Sequence, residues 1–517
     1  MKNWRYFVHL ILPVLLFGSL SGAGTGVLIS LYKFCAAKVL VLSAETYAWL
    51  RIHPIVLLAV LPVLALSGVI MAAVYRRYPN LRGGGIPTSV AALRGLQPVR
   101  WFCDIVGVFF LSLSTFFFGV PLGNEGPSVQ MGTAIGDGWV RMMPRRFRAW
   151  SRYSMTAGSC AGFTAATGSP VSGIMFALED AHGRVSPVII LTSFVAVVFS
   201  HLTVSLLAVP LGFEPHLFSV TDLPVLAFSQ MWLPLLVGLV LGFFAVAFLK
   251  LYELLHRFWN RTLEKVPIWV RLFCILTLTV LLGLCREEFI STGHHLIAHL
   301  LHEKLPLLLL LVILLFRTVM TLSANTVGMT GGLFLPIMAL GAVLSSVTAQ
   351  LLPLFGEEYR ELILVLGISA CIAGMMKTPI TAVAFSVEAL GCGANILPVI
   401  IASAVSFAVT EVFRAESITE NVLENRVHSM RKGRTARVVE TDVTVAVGAF
   451  VVGKQIRDVF WPNNLFIFSV KHTDDRDATV AEHDDKAIRA GDVLHIRYST
   501  YDEERTLEEL HALVDGE

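Results

Sequence analysis

The chain has 517 residues, of which 55% are hydrophobic and only 15% charged, and its mean hydropathy is +0.70. Soluble domains carry about 25% charged residues, so the composition excludes a large soluble core and indicates a membrane protein with many spans. The net charge of +2 gives no indication of a nucleic-acid partner, and the seven scattered cysteines lack the spacing of a metal site or a disulfide framework. We therefore expect neither a metal nor a cofactor.

The first apolar segment begins in the run MKNWRYFVHLILPVLLFGSLSGAG. A basic start, an apolar middle and small residues are also the features of a signal peptide. The apolar pattern continues through GTGVLISLYKF without a convincing cleavage site, which favours a retained first membrane helix.

The apolar segments that follow are very uneven in length. Residues 54–74 and 232–251 are long enough to cross a bilayer, which takes about 20 residues. Others are shorter and are broken by glycine or proline: 103–122, 155–178, 329–345, 361–376 and 379–390. Interrupted helices are tolerated at membrane depth only where they are buried in protein or line an aqueous cavity. The pattern predicts a transport protein with an ion site near the middle of the membrane.

Glu125 lies between glycines in the apolar run FFFGVPLGNEGPSVQMG. A carboxylate at this depth costs about 2.5–3.5 kcal/mol on insertion scales, so it is a candidate functional residue. Pro127 suits the first turn of a helix, and a helix N-terminus carries a partial positive charge that attracts anions. We interpret residues 123–127 as a helix start inside the membrane, where a dissolved anion could compete with Glu125. The alternative is a glycine-rich bend whose acid reaches the surface.

Two sequence frames recur at one offset. GNEGPSVQMG and GLFLPIMALG share the frame G-x3-P-x4-G, and their prolines, Pro127 and Pro336, are 209 positions apart (336 − 127). In residues 158–179 and 367–388 a glycine lies twelve positions before a proline and a glutamate nine after it, and the offset between those prolines, 379 − 170, is again 209. The chain therefore contains two related halves. Similarity alone does not distinguish parallel from inverted halves, and transporters commonly use the inverted kind.

The second half supplies the same helix start without an acid, in the run GLFLP. The backbone N–H groups of Leu333, Phe334 and Leu335 are free to bind an ion there, whereas Pro336 has none. Residues 83–87, GGGIP, form a third glycine–proline start. Three such helix N-termini favour an anion site over a cation site. The alternative is three unrelated turns.

These motifs carry a resemblance to a known family. GGGIP (83–87), GNEGP (123–127) and GLFLP (332–336) resemble, in order and spacing, the three signature motifs of the CLC family of chloride channels and proton-coupled chloride exchangers. Residues 416–419, ESIT, resemble the start of that family's final pore helix, and the resemblance covers about residues 5–430. It implies an all-α polytopic membrane fold with two inverted-repeat halves, and a homodimer with one pore in each subunit.

The resemblance also implies roles for single residues. Glu125 would be the gating carboxylate, which occupies the anion path and accepts protons from the outside. Leu333 and Phe334 would be the backbone donors of the central anion site. The remaining members of the expected anion-binding set are Gly84, Gly126, Leu335 and Thr419.

The sequence departs from the family pattern at four positions. Gly84 stands where a serine hydroxyl usually contacts the anion, and Thr419 falls where a tyrosine hydroxyl closes the inner end of the pore. Asn124 replaces the usual arginine or lysine. Asp180 falls where exchangers have a glutamate that takes protons from the cytoplasm, and Glu179 beside it is a candidate substitute. Losing the serine and the tyrosine hydroxyl together should weaken discrimination between anions, and the shorter Thr419 should leave a wider path.

The composition changes after residue 430. Residues 431–437 are predicted to be a basic linker, and residues 438–517 a small soluble α/β domain with alternating runs such as LFIFSVKH and DVLHIRYS. WPNNLFIFSV and AGDVL resemble the TrkA C-terminal domain of many bacterial ion channels and transporters. The resemblance implies a cytoplasmic regulatory module that senses a small ligand, although no ligand motif is present. A purely structural dimerisation domain is the alternative.

Basic residues flank the membrane domain, residues 1–430, at both ends. Lys2 and Arg5 precede it, and Arg426, Arg431 and further basic residues follow its last helix. Basic flanks mark the cytoplasmic side. We therefore expect a multi-pass protein of the cell (inner) membrane with both termini in the cytoplasm.

These features are compatible with more than one function. We favour proton-coupled chloride exchange over a passive chloride channel of the same family, because both acids are present. A cation system regulated by the TrkA-like tail is opposed by the absence of a T-V-G-Y-G-type filter. A membrane-embedded metalloenzyme is opposed by GHHLIAHLLHEK, which lacks the H-E-x-x-H order. The expected partners are chloride or a similar small anion, protons, the lipid bilayer and a second copy of the chain, and we expect no enzymatic activity.

Overall fold

The computed structural model describes residues 10–83, 85–182, 186–215, 217–218, 220, 223–351, 357–431, 435–472, 479–480 and 487–515. Helices account for most of the structure. The helices of the first half are α1 Leu12–Ile52, α2 Leu57–Arg77, α3 Ile86–Leu93, α4 Trp101–Phe117, α5 Glu125–Met142, α6 Ser151–Thr167, α7 Pro170–Phe176 and α8 Pro187–Leu211. Those of the second half are α9 Trp232–Arg257, α10 Ile268–Cys285, α11 His294–His302, α12 Leu307–Val327, α13 Phe334–Leu351, α14 Arg360–Met376, α15 Pro379–Ala389, α16 Ile396–Val412 and α17 Ile418–Arg431.

The protein is a multi-pass membrane protein. Within the described residues, eight helices are long and apolar enough to cross a bilayer: α1, α2, α8, α9, α10, α12, α13 and α16. Helix α1 runs for 41 residues, through and beyond the small residues that resemble a cleavage site. The predicted short segment 329–345 differs from the structure, because only its first residues form a loop and α13 then continues to Leu351.

Several short helices begin inside the protein, as the interrupted segments predict. Helix α3 has eight residues and α7 has seven. Pro87, Pro170 and Pro379 each lie in the first turn of their helix, where the missing N–H has no intrahelical partner to lose. Almost every residue at the starts of α5 and α13 is buried. These starts are therefore enclosed by protein and do not face lipid.

The two halves have the same internal packing. In the first half α5 packs on α6, α1 on α8 and α6 on α8. In the second half the corresponding pairs are α13 on α14, α9 on α16 and α14 on α16. Helix α7 of the first half packs against α15, its counterpart in the second.

Reciprocal contacts join the halves at positions 209 residues apart. Gly123 and Gly332 exchange two backbone hydrogen bonds of 2.7 Å in an antiparallel bridge. Glu179 accepts hydrogen bonds from the start of α15, and Glu388 accepts them from the start of α7. Each contact from the first half to the second is matched by the equivalent contact from the second half to the first. Such an exchange of roles means that a two-fold axis relates the halves. A two-fold relation is what inverted halves require, and it agrees with the inverted arrangement that the family resemblance implied.

The tail is a small α/β unit. Strands β1 Arg437–Thr444, β2 Leu465–Lys471, β3 Thr479–Val480 and β4 Val493–Thr500 form an antiparallel sheet in the order β1-β4-β2-β3. Helix α18, Glu503–Val514, follows, and the Asp502 side chain accepts a hydrogen bond from the N–H of Arg505 at its start. Buried side chains of the sheet and of α18 form a core separate from that of the membrane domain. The predicted α/β tail is thus present, and its likeness to TrkA domains stays a prediction.

The tail docks on the segment between α5 and α6. Arg152 donates to the Glu509 carboxylate at 2.7 Å and to the carbonyl of Trp461 at 2.7 Å. Arg148 pairs with Glu508. Ala149 contributes its side chain to the tail's core. The basic segment after α5 and the tail therefore lie on the same side of the membrane.

Candidate functional site

A small cavity lies where three helix starts meet. It has a volume of about 20 Å³, room for roughly one water-sized sphere. Its lining residues come from the starts of α3, α13 and α17 and from the ends of α12 and α14: Ile86, Pro87, Asn325, Gly331, Gly332, Leu333, Phe334, Met376, Ile418 and Thr419. The sequence predicted the first two starts as anion-binding motifs, and the structure brings them together with Thr419.

Unused backbone donors face this region. The N–H groups of Leu333 and Phe334 have no hydrogen-bond partner among the residues that the structure describes, because the first N–H groups of a helix have no carbonyl one turn earlier. At the start of α17, the N–H of Glu420 donates to the Ser417 hydroxyl. The N–H of Thr419 has no hydrogen-bond partner within the described chain. Together the helix starts form a positive environment suited to an anion.

Three glycines bring the helix starts into backbone contact. A Cβ on Gly126 would lie 2.7 Å from the α-carbon of Gly332 and 3.1 Å from that of Gly85. A Cβ on Gly332 would lie 2.7 Å from the backbone nitrogen of Gly126. Gly85 also has φ of +124°, a conformation that favours glycine. The glycine–proline motifs therefore serve close approach of the backbones.

Glu125 is the first residue of α5 and has 0% exposure. Neither carboxylate oxygen has a hydrogen-bond partner among the described residues. The side chain lies beside Gly123, because a Cβ there would be 2.5 Å from Oε2, 3.0 Å from Leu335 Cβ and 3.3 Å from Pro336 Cδ. The carboxylate thus lies between the start of its own helix and the start of α13.

Asp180 contacts Thr419, a lining residue of the cavity, and is not itself among the lining residues. It belongs to one turn of π-helix, Ala177–His182, that continues α7, and such turns often occur at functional sites. The Thr419 hydroxyl donates to Asp180 Oδ2 at 3.3 Å. Arg94 holds the same turn by donating to the carbonyl of Asp180 at 3.1 Å, and it pairs with Glu420 on α17. Asp180 is therefore one hydrogen bond away from a residue that lines the cavity.

Glu179 has a different environment from Asp180. Its Oε1 accepts from the N–H of Ile380 at 2.9 Å, and its Oε2 accepts from the N–H and hydroxyl of Thr381 at 2.6 Å each. Glu388 has equivalent bonds to Val171 and Ser172. A carboxylate on two N–H groups at a helix start is a capping residue. This arrangement does not favour Glu179 as a substitute for Asp180 in a proton route.

The structure places the other predicted residues unequally. Gly84 lies outside the described residues. Gly126 supports the site by close backbone contact, and its own backbone does not line the cavity. Leu335 lies beside Glu125 and is not among the lining residues of the cavity.

Three residues near the site were missed by sequence reasoning. Asn325 lines the cavity from the end of α12. Arg94 joins the Asp180 turn to α17, as described above. Lys33, on α1, donates to the carbonyls of Ala165 at 3.5 Å and Pro215 at 3.2 Å. The only available signal was a polar residue inside an apolar helix pattern, which Asn325 and Lys33 both show.

Comparison with known proteins gives consistent matches. The sequence profile described as voltage gated chloride channel matches residues 67–411. The fold is similar to that of a slow cyanobacterial Cl⁻/H⁺ antiporter, with a TM-score of 0.72 and 21% identity over 81% of this chain and 99% of that one. It is also similar to a CLC-type fluoride/proton antiporter, with a TM-score of 0.65 and 21% identity over 78% of this chain and 96% of that one.

A eukaryotic CLC transporter is a third similar structure, with a TM-score of 0.66 and 16% identity over 80% of this chain and 74% of that one. The family profile covers more than half of the chain. The chain therefore belongs to the voltage gated chloride channel family, the CLC family.

Proposed function

We propose that this protein exchanges chloride for protons across a cell membrane. The anion binds in the cavity between the starts of α3, α13 and α17. Glu125 gates the outer side of the cavity and exchanges protons with the outside, and Asp180 connects the cavity with the cytoplasm. The observation that carries the proposal is the fully buried Glu125 carboxylate at the start of α5, which lies beside Leu335 and Pro336 at the start of α13.

The gating step follows from competition for the same positive charge. An ionised Glu125 between the starts of α5 and α13 occupies the position that an anion would take on its way to the cavity. Protonation removes the charge of Glu125 and with it the attraction to both helix starts. A neutral side chain can then move away and leave the path to chloride. One site thus serves proton and anion in turn.

The inner step uses Asp180 and Thr419. The hydrogen bond from Thr419 places the titratable Asp180 carboxyl group next to a residue that lines the cavity. The backbone contacts of Arg94 fix the position of the turn that carries it. Asp180 is shorter than the glutamate expected from the family, and the π-turn at Ala177–His182 is the local feature that sets its position.

The orientation in the membrane is part of the proposal. The basic segment 145–152, which contains Arg145, Arg146, Arg148 and Arg152, contacts the tail through Arg148 and Arg152. Basic segments are retained in the cytoplasm, so we place the tail there. A homodimer, a cytoplasmic N-terminus and a small ligand of the tail stay predictions.

The test is a paired measurement of chloride and proton flux in lipid vesicles that contain the purified protein. A chloride gradient should drive protons uphill through the wild type. Glu125→Gln has nearly the same shape and cannot ionise, so chloride should still pass while proton movement is lost. Asp180→Asn should also lose proton movement, because the inner route then lacks its titratable group.

Two results would contradict the proposal in different ways. Chloride flux without linked protons in the wild type would make the protein a passive channel, for which the short Thr419 side chain at the inner end of the path is the structural reason. No anion flux in the wild type would overturn the proposal if a variant with a released tail is equally inactive. Glu508→Lys together with Glu509→Lys is the variant for that control, because it replaces the acids that pair with Arg148 and Arg152 by like charges, which repel the tail from the membrane domain.

A further inference from the structure

The central cavity contains one polar side chain to which no role has been assigned. Among its described lining residues only Asn325 and Thr419 have polar side chains. The Thr419 hydroxyl donates to Asp180. Asn325 is 8% exposed, and its Oδ1 is buried without a partner in the described chain. An unpartnered amide is unusual at this depth, because buried polar groups are nearly always hydrogen-bonded.

The position of Asn325 in its helix explains why its amide reaches the cavity. It lies in the last turn of α12, where its carbonyl accepts from the N–H of Gly328 at 2.9 Å. The chain then turns through Gly328 and returns to the cavity at Gly331 and Gly332. The side chain therefore faces the same cavity as the free N–H groups of Leu333 and Phe334.

The amide can present a donor to an anion. Asparagine has two N–H donors on one side of its amide and an acceptor on the other, and the torsion that exchanges the two sides is broad. No hydrogen bond to the described chain holds the side chain of Asn325 in one orientation. An anion in the cavity would attract the N–H side, as it attracts the backbone donors of α13.

We propose that Asn325 is an anion-binding residue of the central cavity and that its amide N–H sets the preference for chloride over larger, weakly hydrated anions. This inference rests on the proposed function. Chloride loses a strong hydration shell when it enters the site, and each protein donor replaces part of it. Thiocyanate loses less, so it needs the donor less. A site with fewer donors therefore shifts its preference towards thiocyanate.

The experiment compares chloride and thiocyanate flux in vesicles for the wild type and three variants. Asn325→Leu keeps the size and branching of the side chain and removes the donor. The ratio of chloride to thiocyanate flux should fall about tenfold, the effect of losing one hydrogen bond to a charged group. Asn325→Ser retains a donor and should keep a ratio above that of Asn325→Leu. Met142→Leu alters an exposed apolar residue outside the cavity with little change in volume, and its ratio should equal that of the wild type.

Several outcomes would overturn the inference while the proposed function stands. One is an unchanged ratio in Asn325→Leu; another is an equal loss of both fluxes, which would indicate a structural role. A third is the same shift in Met142→Leu. Titration calorimetry of chloride on the same proteins in detergent gives a readout without transport, and Asn325→Leu should bind chloride about tenfold more weakly. A wild type that neither binds nor carries chloride would overturn both the inference and the proposed function.

Discussion

Three buried or half-buried glutamates differ in their hydrogen bonds, and the difference separates two structural acids from the proposed gating acid. Glu179 and Glu388 each have three hydrogen bonds from a helix start of the other half. Glu125 also lies at a helix start, yet both its oxygens lack a partner in the described chain. A carboxylate with a complete set of bonds is costly to move, whereas one without them is free to leave when it is protonated. This contrast supports Glu125 as the mobile group.

Gly126 gives a prediction about the close approach of helix starts. The methyl group of Gly126→Ala would lie 2.7 Å from the α-carbon of Gly332, so the starts of α5 and α13 must separate. We expect chloride flux to fall at least about tenfold, and the free energy of unfolding to fall by about 1–3 kcal/mol, the usual cost of overpacking. Flux in vesicles and the melting temperature in detergent measure the two effects.

Gly393→Ala is the matched control for this substitution. The nearest atom to a Cβ at Gly393 is Val387 Cγ1 at 4.0 Å, so a methyl group fits without displacement. This variant should melt and transport like the wild type. Normal flux through Gly126→Ala would show that the distance between the helix starts does not matter for the anion path.

Sequence reasoning at the residue scale identifies positions where a residue type conflicts with its surroundings. Glu125 is an acid among glycines and apolar residues, and the glycine–proline starts recur in both halves. Asn325 carries no such motif. It belongs to an ordinary apolar helix, and only the return of the chain through Gly328 brings it to the cavity. Its contact with the site depends on tertiary packing, which no local pattern contains.

The reciprocal capping glutamates act at the scale of helices. Each half ends its short central helix with a glutamate that caps the corresponding helix of the other half, so the starts of α7 and α15 gain acceptors that their own sequences lack. The repeat in the sequence predicted two related halves but left their orientation open. Orientation is decided by contacts between residues more than 200 positions apart, such as Glu179 with Thr381, and spacing along the chain does not report such contacts.

Substituting these glutamates should weaken both halves alike. Gln at position 179 or 388 keeps an acceptor and loses the charge that faces a helix N-terminus, which is worth about 1 kcal/mol. Glu179→Gln and Glu388→Gln should therefore lower the melting temperature by similar amounts. The two variants form a matched pair, because the internal symmetry relates the two sites. A large difference between their melting temperatures would contradict equal capping.

The same variants test the proton route. Glu179→Gln should keep proton-coupled chloride flux, since its carboxylate serves the start of α15, whereas Asp180→Asn should lose it. Loss of coupling in Glu179→Gln, with coupling intact in Glu388→Gln, would instead place Glu179 in the proton route. Vesicle flux at matched protein content gives the answer.

At the scale of the whole molecule, the tail contacts the membrane domain close to Asp180, the residue of the proposed inner proton route. Phe460 of the tail packs on the ring of His182 with 4.8 Å between ring centroids, and His182 is two residues after Asp180. Tyr153 on α6 donates to the carbonyl of Asp458 at 2.9 Å. The composition predicted a separate domain after a basic linker. It gave no indication of this docking, because the apolar and charged residues involved are dispersed over both domains.

Lys454 lies where the tail meets the membrane domain, with its side chain over the ring of Trp150. Burial lowers the pKa of Lys454 from 10.5 to about 6. Between these values the unfolded chain binds a proton that the docked, folded chain does not, so stability should rise with pH from about 6 towards 10.5 and be lowest at or below pH 6.

Lys454→Met removes the proton and keeps the apolar stem. It should melt several degrees above the wild type at pH 6–7, with a difference that shrinks as the pH approaches 10. Lys471→Met, on an exposed strand position of the tail, should show no such pH-dependent difference. A Lys454→Met protein that melts below the wild type at every pH would show that the ammonium holds the tail on the aromatic rings.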